Sequence, residues 1–339
     1  MFKEKRLLFL IAETPLHPGS GSEVGIVDLP IQREKHTEFP KIESSTLRGC
    51  LREAIESSNK QIKLNDKQIR PKDKITYKFN NVEKVTDYVS LVFGPEGEET
   101  HAGALTLTDA RILLFPVKSL KGVFAWITCP MVLERFKRDL KVAGLEPKEI
   151  MDEGLSKLLK KIPPVKIPPG STLTVNNNVV LEEYTFGVEE EKEKEKIGKL
   201  AEWFAANIYP NENEYSFWKS KLEKDIVILP DDDFTQFIRT STEIVTRTKI
   251  DNVTGTVQSG ALWTEEYLPQ DTIMYSLAMF TAPRVENDEQ KGVFKANTPE
   301  EEARLVAEFF KEGLPDVIQI GGNQTIGKGF VILNLYKEA

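Results

Sequence analysis

Near its start the chain carries a run with no polar residue, 7–12 (Leu-Leu-Phe-Leu-Ile-Ala). A continuous apolar run this short suits a strand buried on both faces, at the centre of a sheet. The rest of the chain is read around that strand. Residues 13–43 form a long loop rich in Gly, Pro, Ser and charge. A helix follows, with Ser44 or Ser45 as its cap and Leu47, Cys50, Leu51, Ala54 and Ile55 repeating at helical spacing. Residues 60–84 are polar and read as an insertion, and 111–117 and 122–128 as strands. Pro130 opens a helix with Val132, Leu133, Phe136 and Leu140 inside, and Gly144 ends it.

From about 146 to 167 the composition shifts to Lys and Pro, with Pro163-Pro164 and then Pro168-Pro169, which marks a linker or irregular loop. Residues 172–175 and 179–186 flank three asparagines as a hairpin, and the charge run 189–196 opens a helix through Leu200, Ala201 and Phe204. Residues 226–229 read as a short strand. Alternating arms at 243–250 and 256–263 around Asp251-Asn-Val-Thr-Gly255 read as a protruding hairpin. A strand at 272–281 precedes a helix with Thr298 as cap, Pro299 at its first position and Gly313 at its stop. Strands at 317–320 and 330–336 close the chain. The order fits an α+β fold of one or two ferredoxin-like β-α-β-β-α-β units broken by long insertions.

At 339 residues the chain suits one large domain or two smaller ones. With 40% apolar and 29% charged residues it is neither disordered, collagen-like nor a disulfide scaffold. Cys50 and Cys129 read as buried free thiols of a reducing compartment, and with His17, His36 and His101 they show no zinc-ligand spacing. No apolar run approaches the roughly 18 residues of a membrane span. The basic start leads into the first strand with no small-residue cleavage site, so the expectation is a cytoplasmic protein. Net charge is −8, which excludes a generic basic coat for nucleic acid. Any nucleic-acid site must be local. Residues 33–52 hold five Lys/Arg against three Glu, a local +2, while 284–302 hold three against six acids.

Four features could carry chemistry. The loop from Thr14 to Arg33 holds Gly19, Gly21 and Gly25, His17, and Asp28 set between Val27 and Leu29 just before Pro30. Asp28 reads either as an oriented carboxylate or as a turn aspartate bonded to local N–H groups. The helix start Ser44-Ser-Thr-Leu-Arg48-Gly-Cys-Leu-Arg52 offers hydroxyls, N–H groups and two arginines one turn apart, suited to phosphate. Arg48 and Arg52 also suit pairing with nearby glutamates. Gly321-Gly-Asn-Gln-Thr-Ile-Gly-Lys-Gly329 lies between two strands and fits neither a Walker A nor a dinucleotide frame, so it reads as a backbone-lined groove or a plain hairpin turn. The hairpin carries Arg247 and Lys249 among apolar residues, suited to wedging between bases, to touching a neighbouring subunit, or to nothing more than an exposed turn.

Together these residues resemble the RAMP superfamily of CRISPR effector proteins, whose hallmark is the Gly-rich C-terminal loop. Thr14-Pro-Leu-His-Pro-Gly-Ser-Gly21, Val27-Asp-Leu-Pro-Ile-Gln-Arg-Glu-Lys-His36 and Ser44-Ser-Thr-Leu-Arg-Gly49 are similar to the repeated backbone subunit of the type III-B (Cmr) complex. So are Phe93-Gly94, Thr108-Asp-Ala-Arg111 and Glu265-Glu-Tyr-Leu-Pro269. The resemblance implies a single RAMP domain: a ferredoxin-like, RRM-like palm over about 1–145 and 225–339, insertions at about 58–90 and 146–224, and a thumb hairpin at about 243–263. It implies an endoribonuclease whose copies stack head-to-tail along a CRISPR RNA with other subunits and cut complementary single-stranded target RNA beside each thumb. The catalytic aspartate falls on Asp28, with His17, Lys35 and Arg247 as helpers. RNA contact falls on Ser44, Ser45, Arg48, Arg52, Gly321, Gly322, Asn323, Gln324, Thr325, Gly327, Lys328 and Gly329, and the thumb contributes Arg247 and Lys249. The implied chemistry is in-line attack of a ribose 2′-OH on phosphorus, with Asp28 as base or as ligand of Mg²⁺ or Mn²⁺. The alternatives are a non-catalytic guide-binding RAMP, a guide-processing endoribonuclease, and a phosphate-loop nucleotide enzyme.

Overall fold

In strand β1 (Glu4–Ala12) of the computed structural model, every residue from Leu7 to Ile11 is at most 1% exposed. The structure describes residues 1–22, 25–96, 101–145, 147, 153–188 and 194–336. The other strands that place the site are β2 (Ala110–Lys118), β3 (Phe124–Thr128), β4 (Ile226–Ile228), β5 (Glu243–Ile250), β6 (Val257–Tyr267), β7 (Ile273–Phe280), β8 (Val317–Gln319) and β9 (Phe330–Tyr336). The principal helices are α1 (Ser44–Ser57), α2 (Pro130–Ala143), α3 (Lys194–Ile208), α4 (Asp231–Thr240) and α5 (Pro299–Gly313).

One sheet runs β4-β3-β2-β7-β1-β9-β8, with Lys41–Ile42 added on β2 and Leu105–Leu107 on β7. β1 is antiparallel to β7 and β9, and β7 is antiparallel to β2. β1 and β2 therefore point the same way with β7 between them. The expected strands 111–117 and 122–128 are both present as neighbours, β2 and β3. β7, far along the chain, takes the place beside β1, so β3 lies further out on the far side of β2. β4 pairs with β3 in parallel, so the chain rejoins the sheet after residue 225.

Both faces of the sheet are covered, as the apolar run requires. On one face the Phe9 ring lies 6.5 Å from Phe136 of α2 and 6.4 Å from Trp203 of α3. On the other, Phe280 of β7 lies 5.6 Å from Phe310 of α5. A polar tie crosses the first face: buried Asp139 of α2 accepts from Arg111 Nη1 (2.7 Å) and Tyr275 Oη (2.9 Å). Burial and the neighbouring Asp139 push the Tyr275 hydroxyl upward, so it stays a donor.

Local signals hold at several ends. Thr298 Oγ1 accepts the Glu301 N–H at 3.2 Å, and Gly144 takes the left-handed conformation (φ +70°) after α2. Gly313 lies inside α5, and Leu314 follows it as cap. Residues 60–84 are not a plain polar insertion. They begin two hairpins, Ile62–Leu64 with Lys67–Ile69 and Lys74–Phe79 with Val82–Asp87, which bury Ile62, Leu64, Ile69 and Ile75. Helices Glu153–Leu159, Ser216–Lys224 and α4 lie where none was expected. Of the charge run 189–196, residues 189–193 lie outside the described residues, and α3 carries the rest. Cys129 is buried, and Cys50 only half-buried.

β5 and β6 form a separate two-stranded sheet, paired from Glu243 opposite Tyr267 to Ile250 opposite Val257, with an irregularity at Lys249. The second arm is longer than expected and runs down to Tyr267 at the main sheet. Asp251 Oδ1 closes the turn by accepting N–H bonds from Val253 (2.9 Å) and Thr254 (2.8 Å).

Candidate active site at the root of the hairpin

The loop after β1 attaches to β6 along the edge that β5 leaves open. Leu29 N–H donates to Thr264 O and Glu266 N–H to Leu29 O, each at 3.0 Å. Asp28 is held there by one residue. Its Oδ2 accepts from Thr264 N–H (2.7 Å) and from the Thr264 hydroxyl (2.9 Å), and that hydroxyl accepts the Asp28 N–H (3.0 Å). Asp28 is exposed, and the Thr264 bonds hold its carboxyl below the usual carboxylate range. It is an ionised group of fixed direction, with Oδ1 turned to no partner among the described residues. Three residues on, Ile31 N–H donates to Glu266 Oε2 (3.1 Å). Glu266 Oε1 accepts from Arg33 (2.5 Å) and Thr242 Oγ1 (2.8 Å), which joins the loop to both arms of the hairpin.

Side chains alternate along a strand. Thr264 and Glu266 serve the loop, so Trp263, Glu265 and Tyr267 serve the opposite side. There Glu265 Oε2 accepts from Arg247 Nε (3.2 Å), Asn323 Nδ2 (3.0 Å) and the Tyr267 hydroxyl, and Oε1 accepts from Trp263 Nε1 (2.9 Å). Asn323 Nδ2 also reaches Tyr267 Oη at 2.7 Å, and Lys328 Nζ sits 5.1 Å above the Tyr267 ring. Burial alone would raise the Glu265 pKa; the bonds from Tyr267, Trp263 and Arg247 outweigh it and leave the carboxyl below its usual range. The expected helper Arg247 is committed to this cluster and lies across the ribbon from Asp28.

His17 is likewise a structural group. It is 8% exposed, its Nδ1 is 2.6 Å from Glu266 O, and its ring is 5.4 Å from that of Tyr267. Its own carbonyl accepts the Gly322 N–H at 3.0 Å. A Cβ on Gly321 (φ +82°) would stand 2.2 Å from that same oxygen, so only glycine permits this approach. Gly329 N–H donates to Pro15 O at 3.0 Å. The Gly-rich loop, which joins β8 to β9, is thus fastened to the loop after β1. A cradle of free N–H groups was expected. Instead the N–H groups of Gly322, Ile326, Gly327, Lys328 and Gly329 already bond within the chain, and the exposed tip is 324–327. Asn323 serves the Glu265 cluster.

At α1 the cap is Glu43, and neither Ser44 nor Ser45 caps with its side chain. Ser44 N–H donates to Asp109 Oδ1 (2.9 Å), and Lys41 Nζ to Asp109 Oδ2 (3.2 Å). The helix N-terminus therefore already faces a carboxylate. Arg52 is engaged by Glu56 Oε1 (2.8 Å), Gly94 O (2.7 Å) and Glu96 Oε1 (3.2 Å). Arg48, Lys35 and Lys249 are exposed and have no ion pair among the described residues. With Arg33, Lys41 and Arg52 paired, the local positive charge of 33–52 is presented by Lys35 and Arg48. Thr264, Glu265, Glu266, Tyr267 and Asp109 received no role from the sequence, although Glu265-Glu-Tyr-Leu-Pro269 and Thr108-Asp-Ala-Arg111 stand out as motifs.

No group of three or more His, Cys, Asp or Glu able to hold a metal ion occurs among the described residues. No helix there is long and apolar enough to cross a membrane.

A chain with this sheet, a hairpin rooted on a Gly-rich turn, and a carboxylate at the root matches the RAMP superfamily model over residues 9–332, and it belongs to that superfamily. Within it, the chain is 38% identical over 337 residues to the CRISPR system Cmr endoribonuclease Cmr4 of Pyrococcus furiosus, covering 97% of this chain and 95% of that one. It is similar to the crystal structure of oligomeric Cmr4 from Pyrococcus furiosus, with TM-score 0.64 and 30% identity over 99% of each chain. It also shares its fold with a chain of the type III-B Cmr-beta complex bound to cognate target RNA, with TM-score 0.66 and 21% identity over 98% of each.

Proposed function

We propose that the chain is a repeated backbone subunit of a type III-B CRISPR RNA-guided effector complex. Copies stack head-to-tail along the CRISPR RNA with the complex's other subunits, in the cytoplasm, and each cleaves complementary target RNA beside its hairpin. One observation carries the catalytic part: Asp28 is an exposed carboxylate of fixed direction at the root of an exposed β-hairpin. The relatives' names, an endoribonuclease and an oligomeric Cmr4, support the rest.

The order β9-β1-β7-β2, with α1 following β1 and α5 following β7, supports a ferredoxin-like, RRM-like palm with β5–β6 as thumb. The sheet face that an RRM uses for bases is closed here by α2 and α3. RNA is therefore held at the end of the sheet where the Asp28 loop, the Gly-rich turn and the thumb meet. Backbone contact falls on Ser45, Arg48, Gln324, Thr325 and Gly327, on Lys328 beside them, and on Lys249 of the thumb. Of the expected helpers only Lys35 is free to reach a phosphate; His17 and Arg247 hold the root together.

Cleavage forms a bond from the ribose 2′-oxygen to phosphorus as the P–O5′ bond breaks. The products are a 2′,3′-cyclic phosphate and a 5′-hydroxyl. The 2′-hydroxyl loses its proton and O5′ gains one. The thumb splays the nucleotide so that attack is in line. A single carboxylate oxygen, Asp28 Oδ1, fits a Mg²⁺ or Mn²⁺ ion only if RNA phosphate and water complete its shell, and such an ion would neutralise charge at the phosphate. The test is Asp28→Ala in a complex reconstituted with guide and target RNA. Cleavage stops while guide binding and assembly persist; unchanged cleavage refutes the assignment.

A further inference from the structure

We infer that Thr264 is the positioning residue for the cleavage reaction: it clamps Asp28 Oδ2 and so aims Oδ1 at the scissile phosphate from the edge of the thumb. The inference rests on the reading of Asp28 as the catalytic carboxylate. It goes further by making the second thumb arm part of the active site.

The geometry is a closed loop of hydrogen bonds between two residues. Thr264 donates twice to one carboxylate oxygen, from N–H at 2.7 Å and from Oγ1 at 2.9 Å, and accepts the Asp28 N–H at 3.0 Å. An exposed aspartate ordinarily samples several χ1 and χ2 wells. Here both carboxylate torsions are set, because Oδ2 has two donors at one place and the backbone N–H is tied to the same hydroxyl. The hydroxyl is the central element, since its oxygen takes part in two of the three bonds. Valine, of similar shape, would remove both and leave only the N–H bond.

The surroundings reinforce the clamp. Leu29 on one side of Asp28 exchanges backbone bonds with Thr264 and Glu266, and Ile31 and Arg33 bond the Glu266 carboxylate. The loop is thus tied to the thumb arm β6 on both sides of Asp28's neighbour Leu29 and through the Glu266 carboxylate, which places the carboxylate at the thumb's edge. A thumb that inserts into the guide–target duplex carries its cutting group to the nucleotide it displaces. This geometry gives one cut per thumb without a separate alignment step.

The test compares Thr264→Val, Thr264→Ala and Thr264→Ser in guide-bound complex, with single-turnover cleavage and target-RNA binding measured separately. Misplacing a reacting group by about 1 Å can cost about 100-fold. The expected result is a loss of 10-fold or more in cleavage rate for Thr264→Val and Thr264→Ala, with target Kd within about two-fold of wild type. Thr264→Ser, which keeps Oγ, restores most of the rate. A purely structural role would weaken binding along with rate and would not distinguish Ser from Val. Wild-type rates in both hydroxyl-free variants, with Asp28→Asn inactive, overturn the inference alone. Full activity of Asp28→Asn overturns the Asp28 reading and the inference with it.

Discussion

Gly321 and Gly327, at the start and the tip of the Gly-rich turn, both sit at positive φ, +82° and +77°, yet their surroundings differ. Alanine at either position costs roughly 1–2 kcal/mol for the left-handed backbone alone. At Gly327 nothing lies within 4 Å of the added Cβ, so that conformational cost is the whole effect. At Gly321 the Cβ would lie 2.2 Å from His17 O and 2.7 Å from His17 C, both backbone atoms that cannot rotate away. The turn must shift by about 1 Å, and the Gly322 N–H bond to His17 O stretches with it. Losing that bond adds about 1 kcal/mol, with further strain on the His17 backbone. Gly321→Ala is therefore expected to destabilise by at least about 3 kcal/mol against about 1–2 for Gly327→Ala. Urea unfolding of the purified chain followed by tryptophan fluorescence measures the difference. A gap below about 0.5 kcal/mol refutes the claim that the turn is fastened to the loop after β1 at this point.

Burial first, and Glu13 second, push the Asp271 carboxyl up to about 6 from 3.8. A raised folded-state pKa means the native state favours the proton, so this stabilisation is full below about pH 4 and is lost as pH rises through about 6. Asp271→Asn, which keeps the left-handed backbone (φ +65°), should gain about 1 kcal/mol at pH 8 after allowing for partial exposure, and nothing at pH 4, by denaturant titration at both pH values. Arg48→Ala should weaken guide-RNA binding and lower the salt slope by about one, whereas Arg52→Ala, whose charge is already paired, should leave the slope unchanged. Thr298→Ala removes the cap bond to Glu301 and should cost about 1 kcal/mol in chemical denaturation.

What was legible in the sequence was what depends on neighbours along the chain. The run 7–12, the cap Thr298 with Pro299, and the turn at Gly255 are local patterns, and each stands where expected. The helices at 153–159, 216–224 and 231–240 lack long apolar periodicity, and the last opens on three consecutive aspartates, a charge run that resembles a loop yet suits the positive end of a helix. The site itself depends on distant pairs. Ser44 is the first helical residue rather than the cap, and its N–H goes to Asp109, 65 residues on. His17 is consumed by a carbonyl 249 residues away, and Asp28 by a threonine 236 away. Arg247 is paired by Glu265, 18 residues on, which turns to the same face of the hairpin. The net charge of −8 says nothing of where the cations point; the ion pairs show that, among the described residues, Lys35 and Arg48 are the unpaired cations of 33–52.

The central claim is that each subunit carries its own cutting group, Asp28, at its own thumb. Complexes assembled from mixtures of wild-type and Asp28→Ala chains, on one guide and one end-labelled target, test it by mapping every cut to the nucleotide. The account predicts that cut positions stay at the same regular interval while the yield at each falls in proportion to the fraction of Asp28→Ala chains. Positions that move, or cleavage that persists at full yield in complexes built wholly from Asp28→Ala chains, would contradict it.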